Sequence, residues 1–443
     1  MTSAPSRLPA RKTIEDIVSS AVGQEKRCTA LVLGMIAADP QERLVVGYGS
    51  INAGNPAIPD GNTVFEIGSI TKVFTGSLLG MAVKAGEMQL SDPIDRYLPA
   101  GVTAPNYAGV PITLLDLATH TSGLPSLPDN FAPQDWKNPY ADYTPQQMYA
   151  FLSDYQLTRQ PAAQYDYSNL GMGLLGNLLV NRAGAADYET LLRCRICDPL
   201  GMHDTRVRLT PEMRSRLTDP HNNLLEPDHN WDLPTLAGAG AIRSTVNDLL
   251  TFLAANMGMA APDMQAAFTL ANTPQRPAVS GLSVGLGWHF LPTDGEDIHW
   301  HNGQTGGYTG FMAWKPDGKM GVVILSDAAI LLDDIGFHLL HSKYSIIPHV
   351  PRTFPAPLTV DAGVLAGYAG VYSVKPSMRV TIRVEGGRIF MQSTHEPEYE
   401  LHAISAERFY IREDEIEVSF TSDSPPRLML HQAGGITEAA KTG

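Results

Sequence analysis

The chain has 443 residues, of which 43% are hydrophobic and 18% charged. That composition excludes a disordered or coiled-coil protein and leaves room for two or three domains. The net charge of -14 opposes nucleic-acid phosphates and anionic membrane surfaces, so neither is expected as a partner, and a small uncharged or cationic substrate fits better.

The opening MTSAPSRLPARKTIEDIVSS has basic residues with no apolar segment behind them, so it reads as a cytoplasmic start rather than a secretory one. Nowhere does an apolar run approach the roughly 20 residues that a membrane span requires. Spacing predicts a helix over 13–24, with Ile14, Ile17, Val18 and Val22 on one face. Strands follow at Leu31–Ile36 and Leu44–Tyr48, with Asp39-Pro40 as the turn between them. Residues Ile70 to Ala85 are apolar at helical spacing and stop near Gly86, which places Ser69 at or just before a helix N-terminus. The polar, Pro-containing stretches 99–111 and 124–145 read as loops over a site. Helices are expected at 145–156, 170–183, 186–197 and 245–256. The three cysteines include Cys194-x-x-Cys197, which could be redox-active or half a zinc site. It lies in a helical run with no second ligand pair, and ordinary helix packing is the simpler reading.

From 283 the texture changes to strands at Val284–Phe290, Ile298–His301, Tyr308–Trp314 and Gly321–Ser326, with a turn at 316–319. Ile335–Leu340 returns as a helix. The pattern is α+β: an antiparallel sheet flanked by helices, with a helical subdomain, in one domain over 1–347. A Pro-rich linker spans 348–360. Beyond it, over 361–443, short strands at Leu365–Val371, Met378–Val384, Arg388–Gln392, Tyr399–Ala403, Phe409–Ile411, Ile416–Phe420 and Arg427–Gln432 predict a small all-β barrel or sandwich.

Chemistry concentrates at three places. Ser69-Ile70-Thr71-Lys72 puts an amine on the same helix face as a serine hydroxyl, where it can take the hydroxyl proton. A helix N-terminus favours the alkoxide. Alone, S-x-x-K arises about once by chance in a chain this long, and its bland reading is a capping serine with an exposed lysine. Tyr167-Ser168-Asn169 also precedes a helical run. Its tyrosine can act as a base if cations lower its pKa, and Asn169 can bind a substrate amide or hold Lys72. Third, His301-Asn302-Gly303 lies on a strand, followed by Gln304-Thr305-Gly306-Gly307, and that strand could supply a backbone N–H to an oxyanion, with Gly303 letting substrate lie close. His299 and His301 share a strand face, but no third ligand has suitable spacing, so no metal and no cofactor are expected.

In this order the three motifs resemble the S-x-x-K, Y-x-N and K-T-G signature of serine penicillin-recognising enzymes, nearest the class C β-lactamases and related peptidases and esterases. His120-Thr121-Ser122-Gly123-Leu124-Pro125, Asp198-Pro199-Leu200-Gly201-Met202 and Gly238–Ser244 agree with that resemblance, which covers roughly residues 12–345. It implies the β-lactamase/D,D-peptidase fold, and a lipocalin-like barrel for the tail. It also implies Ser69 as nucleophile, Lys72 as its activator, Tyr167 as general base and acid, and Asn169 as a positioning group. The Ser69 and Gln304 N–H groups would form the oxyanion hole. His301 stands where the family has a lysine, which argues against efficient β-lactamase activity. A literal Lys441-Thr442-Gly443 at the C-terminus lacks the Gly-rich strand context and reads as a decoy. The leading expectation is a serine hydrolase of a small ester, amide or peptide. An acyl transferase of the penicillin-binding-protein-type thioesterase kind, a weak β-lactamase and a non-catalytic binder are the alternatives.

Overall fold

The computed structural model describes residues 7–38, 41–317, 319–375, 378–414, 416–432 and 435–442. The opening six residues, the turn expected at Asp39-Pro40, Gly318 of the 316–319 turn and Gly443 lie outside the described residues. Two compact units divide the chain, Met1–Val350 and Pro351–Gly443.

The first unit is built on an eight-stranded sheet. Ala30–Ala38 is an apolar run because both of its faces are covered. It pairs antiparallel with Gln41–Gly49 on one side and with Met320–Ser326 on the other, so distant parts of the chain share one sheet. Thr309–Lys315, Ile298–Gln304, His289–Leu291, Ser283–Val284 and Arg276–Pro277 extend it in that order. Strand alternation divides the core. Leu31, Leu33 and Met35 face Ile14 and Val18 of the helix Arg11–Ser19. Val32 and Ile36 face a larger core that includes the helices Thr71–Lys84, Asn169–Ala183 and Val246–Ala254. Gly34 allows the last of these helices to lie close, since a Cβ there would come within 2.4 Å of Val246 Cγ1.

Three expectations require correction. Val284–Phe290 is not one strand: the chain turns through Gly287, at φ +83°, between Ser283–Val284 and His289–Leu291. Glycine is needed there because a Cβ would meet the Lys72 carbonyl oxygen at 2.4 Å. The stretch 99–111 contains a small hairpin, Asn106–Tyr107 with Val110–Pro111. The predicted strand Leu365–Val371 is instead a helix, Ala362–Tyr368, capped by Asp361, whose Oδ1 accepts from Gly363 N at 2.8 Å. The helix expected over 186–197 is present: Tyr188–Leu192 runs on through a π-helical stretch, Arg193–Cys197, and all three cysteines are free.

The second unit is a closed antiparallel barrel from Gly370–Lys375 to Gly435–Lys441. Its interior is filled: Tyr372, Phe409 and Phe420 are buried, and Tyr368 stacks on Phe420 with ring centroids 4.0 Å apart. The closing strand Gly435–Lys441 went unpredicted and contains the decoy lysine. Lys441 Nζ donates to Gly367 O at 3.0 Å and so is held within the barrel. Among the described residues no helix is long and apolar enough to cross a membrane. No group of three or more His, Cys, Asp or Glu among them could hold a metal ion.

His299 lies between Phe290 and Trp314, with ring centroids at 4.6 and 4.3 Å. Burial lowers its pKa from 6.5 to about 4. The neutral ring is therefore the native form. Its contribution to stability is full above pH 6.5 and is lost as the pH falls toward 4, because the unfolded chain takes up the proton first. His299→Phe should flatten the fall in melting temperature over that window, as read by thermal melts at stepped pH. A slope identical to that of the parent would contradict the assignment.

Candidate active site

Ser69 lies in a tight turn, Gly68–Ile70, that joins the strand Val64–Glu66 to the helix Thr71–Lys84. Gly68 has φ +48°, and a Cβ on it would come within 2.6 Å of Gln304 N. Glycine is required on both counts. Ser69 is half-buried and Lys72 fully buried. Lys72 Nζ lies 2.7 Å from Ser69 Oγ and donates to Asn169 Oδ1 at 2.8 Å and to the Ala239 carbonyl at 2.7 Å. Burial alone lowers its pKa well below the ordinary 10.5.

Asn169 opens the helix Asn169–Ala183, and Ser168 caps it. Ser168 Oγ accepts from Gly171 N at 2.8 Å and donates to Pro125 O at 2.6 Å. The cap holds Tyr167 just outside the helix, with its ring centroid 4.7 Å from Lys72 Nζ. The expectation that nearby cations lower the Tyr167 pKa is corrected here. Burial raises it above the ordinary 10, and a hydrogen bond with Ser69 offsets only part of that rise. The resting group is a neutral phenol.

The strand Ile298–Gln304 brings the third motif behind Ser69. Gly303 has a different purpose from the one expected. A Cβ on it would fall 2.0 Å from Ile67 O and 2.9 Å from Ser69 N, so this glycine lets the strand cross the Gly68–Ile70 turn rather than making room for substrate. The same crossing sets the backbone of Ser69 beside that of Gln304, whose side chain turns away to donate to Ala329 O at 3.0 Å. His301 is buried, 6.3 Å from Tyr167 between ring centroids. Its Nδ1 donates to the Asn302 carbonyl, which leaves an unpartnered lone pair on buried Nε2. Burial, then His289, then Lys72 lower its pKa well below 6.5. This position therefore presents a neutral imidazole where a cation would bind a carboxylate.

All seven residues singled out (Ser69, Lys72, Tyr167, Asn169, His301, Gly303 and Gln304) meet at this one place. Sequence reasoning missed their neighbours. His289 lies 5.0 Å from His301 between ring centroids, and its Nε2 shares a hydrogen bond of 2.8 Å with the Tyr165 hydroxyl. His120 lies 4.4 Å from Tyr167. In the sequence His120 stands out only as the first residue of the resembling stretch His120–Pro125, with no part in the site, and His289 does not stand out at all. The Ala239 carbonyl that holds Lys72 is a backbone atom and leaves no mark in the sequence.

This fold, with a serine–lysine pair at the start of its first core helix, defines a serine hydrolase. The Beta-lactamase family profile matches residues 15–334, and the chain belongs to that family. It is 30% identical over 313 residues to the D-alanyl-D-alanine-carboxypeptidase/endopeptidase AmpH of Escherichia coli, covering 66% of this chain and 78% of that one. Penicillin-binding protein 4* of Bacillus subtilis is 25% identical over 465 residues, covering 98% of this chain and 99% of that protein. Among solved structures, a Beta-lactamase/D-alanine Carboxypeptidase from Yersinia pestis complexed with citrate superposes with a TM-score of 0.63 at 28% identity, over 72% of this chain and 92% of that one.

Gly303→Ala should force the strand away from the nucleophile turn. A displacement near 1 Å costs about a hundredfold in rate. The variant should remain folded by circular dichroism yet react with a fluorophosphonate about a hundredfold more slowly. Labelling at the parent rate would show that the crossing does not position the site.

Proposed function

We propose that the protein hydrolyses a small ester or amide, of esterase or peptidase type, through an acyl-enzyme on Ser69. The observation that carries this reading is the environment of Lys72. Asn169 Oδ1 and Ala239 O can only accept, so they occupy two N–H bonds of the amine. The remaining position faces Ser69 Oγ. In the neutral amine, which burial favours, that position is the lone pair. Lys72 then takes the serine proton as Oγ attacks the carbonyl carbon. The oxyanion that forms accepts from the N–H groups of Ser69 and Gln304. Tyr167, a neutral phenol, donates its proton to the departing oxygen or nitrogen and is reprotonated through Lys72. Water then attacks the ester on Ser69 and the same groups run in reverse.

The neutral His301 supports substrates without a carboxylate at that subsite, which favours an ester or an uncharged amide over a β-lactam. The Escherichia coli relative, named as a carboxypeptidase and an endopeptidase, supports amide cleavage as one branch, and the neutral His301 favours the endopeptidase kind, in which no free carboxylate has to be bound.

Ser69→Ala should abolish turnover across a panel of p-nitrophenyl acetate and butyrate, D- and L-amino acid p-nitroanilides, and nitrocefin. The parent should turn over the first two groups faster than nitrocefin. Undiminished ester turnover by Ser69→Ala would overturn the nucleophile, and nitrocefin as the best substrate would overturn the substrate class.

Tyr167→Phe separates acid from base. General acid catalysis contributes about 10²- to 10⁴-fold, and a nitrophenolate leaves without it whereas an anilide does not. The variant should lose far more activity on p-nitroanilides than on p-nitrophenyl esters. Equal losses would make Tyr167 the base that activates Ser69.

A further inference from the structure

His120 stands outside the three motifs, yet it holds the second of them. Its backbone has φ +56°, a left-handed conformation that costs a side chain energy, though His, Asn and Asp adopt it more readily than most. In that conformation both its backbone and its ring face the segment that carries Tyr167. The His120 carbonyl accepts from Asp166 N at 2.7 Å, and the Thr121 carbonyl from Ala162 N at 2.8 Å. Further along, the Ser126 carbonyl accepts from Leu170 N at 3.0 Å.

The ring makes the contact nearest the chemistry. Ser168 N donates to His120 Nδ1 at 3.1 Å. A nitrogen that accepts an N–H carries no proton, so the neutral ring keeps its proton on Nε2. Nε2 is buried and has no hydrogen-bond partner. The ring is 1% exposed and its face lies 4.4 Å from the Tyr167 ring, tilted by 31°. One side chain thus fixes the peptide between Tyr167 and Asn169 and walls in the phenol. Tyr167 and Asn169 are the two residues of that segment that reach Ser69 and Lys72.

We propose that His120 is the positioning residue of the Tyr167–Asn169 segment, holding phenol and amide in register with Ser69 and Lys72 through Nδ1 and the face of its ring. The inference rests on the reading of Ser69 as nucleophile. It predicts a loss in the chemical step and not in binding, and it predicts which replacement rescues the site. Asparagine tolerates the left-handed backbone, and its Oδ1 is attached to Cγ as Nδ1 is in histidine. Glutamine places its acceptor one atom further out. Phenylalanine keeps the wall and removes the acceptor. Glycine accepts the backbone without strain and leaves a ring-sized hole.

The test measures Ser69 labelling by a fluorophosphonate, and kcat and KM for p-nitrophenyl butyrate, on the full chain. His120→Phe, His120→Gln, His120→Gly and His120→Asn are compared, each checked by circular dichroism. The first three should label about a hundredfold more slowly, with kcat reduced and KM unchanged, as for a small misplacement of catalytic groups. His120→Asn should recover most of the rate, and added imidazole should restore His120→Gly. A folded Phe or Gly variant that labels at the parent rate overturns the proposal. If those variants do not fold, equal rates for Asn and Gln overturn it instead. A parent protein that fails to label on Ser69 refutes the nucleophile itself, which is a separate outcome.

Discussion

The site depends on one buried amine. Among the described residues no carboxylate pairs with Lys72. Its three partners are a hydroxyl, a side-chain amide oxygen and a backbone carbonyl, and they come from three separate segments. An ammonium in such a place is disfavoured by lost hydration, which an ion pair would have offset. The protein therefore has to bring uncharged acceptors very close. Small residues make that possible. A Cβ on Gly176 would lie 3.1 Å from Gly238 Cα, and one on Gly173 would lie 2.6 Å from a Leu236 methyl. These contacts let the short helix Ala237–Gly240 settle on Asn169–Ala183. Thr75 Oγ1 then donates to Gly238 O at 2.7 Å, and the next carbonyl along, that of Ala239, reaches Lys72.

The histidines follow from the same constraint. Burial lowers the pKa of His120, His289 and His301, and the positive end of Lys72 lowers each of them further. A lysine at position 301 would add a second charge to a volume that already disfavours the first. Neutral imidazoles fill the space with flat polar walls and leave the amine as the group that titrates in the reaction. Recognition then depends on shape and on hydrogen bonding rather than on a fixed charge.

Much of this was legible in the sequence because it depends on spacing. The offset from Ser69 to Lys72 is a helix-face relation, and the short unbroken apolar run from Leu31 was enough to identify a buried strand. The order of the three motifs then singled out a site that no single motif could. What stayed hidden depends on close approach between distant segments. Val284–Phe290 alternates like a strand, but the Lys72 carbonyl forces a turn at Gly287. Ala362–Tyr368 looked β-like, and its helix is set by the Asp361 cap. The direction of the Tyr167 shift reverses because the phenol is walled in, and a motif carries no record of burial.

The crossing of Gly303 over the Gly68–Ser69 turn holds the backbone of the site independently of the side chain at 301. At that crossing backbone faces backbone, and each strand is held by its own ladder: Gly303 pairs with Gly310, and Val64–Glu66 pairs with Arg243–Thr245. The N–H groups of Ser69 and Gln304 are thus fixed by main-chain geometry in which the side chain at 301 has no part. On the proposed reading, an imidazole there in place of a cation bears on which acyl groups fit and leaves the oxyanion position alone. Attack and recognition are therefore separable here. On the proposed mechanism Lys72 and the glycine crossing serve attack, and the rings of His301, His289 and Tyr165 are left to shape what binds.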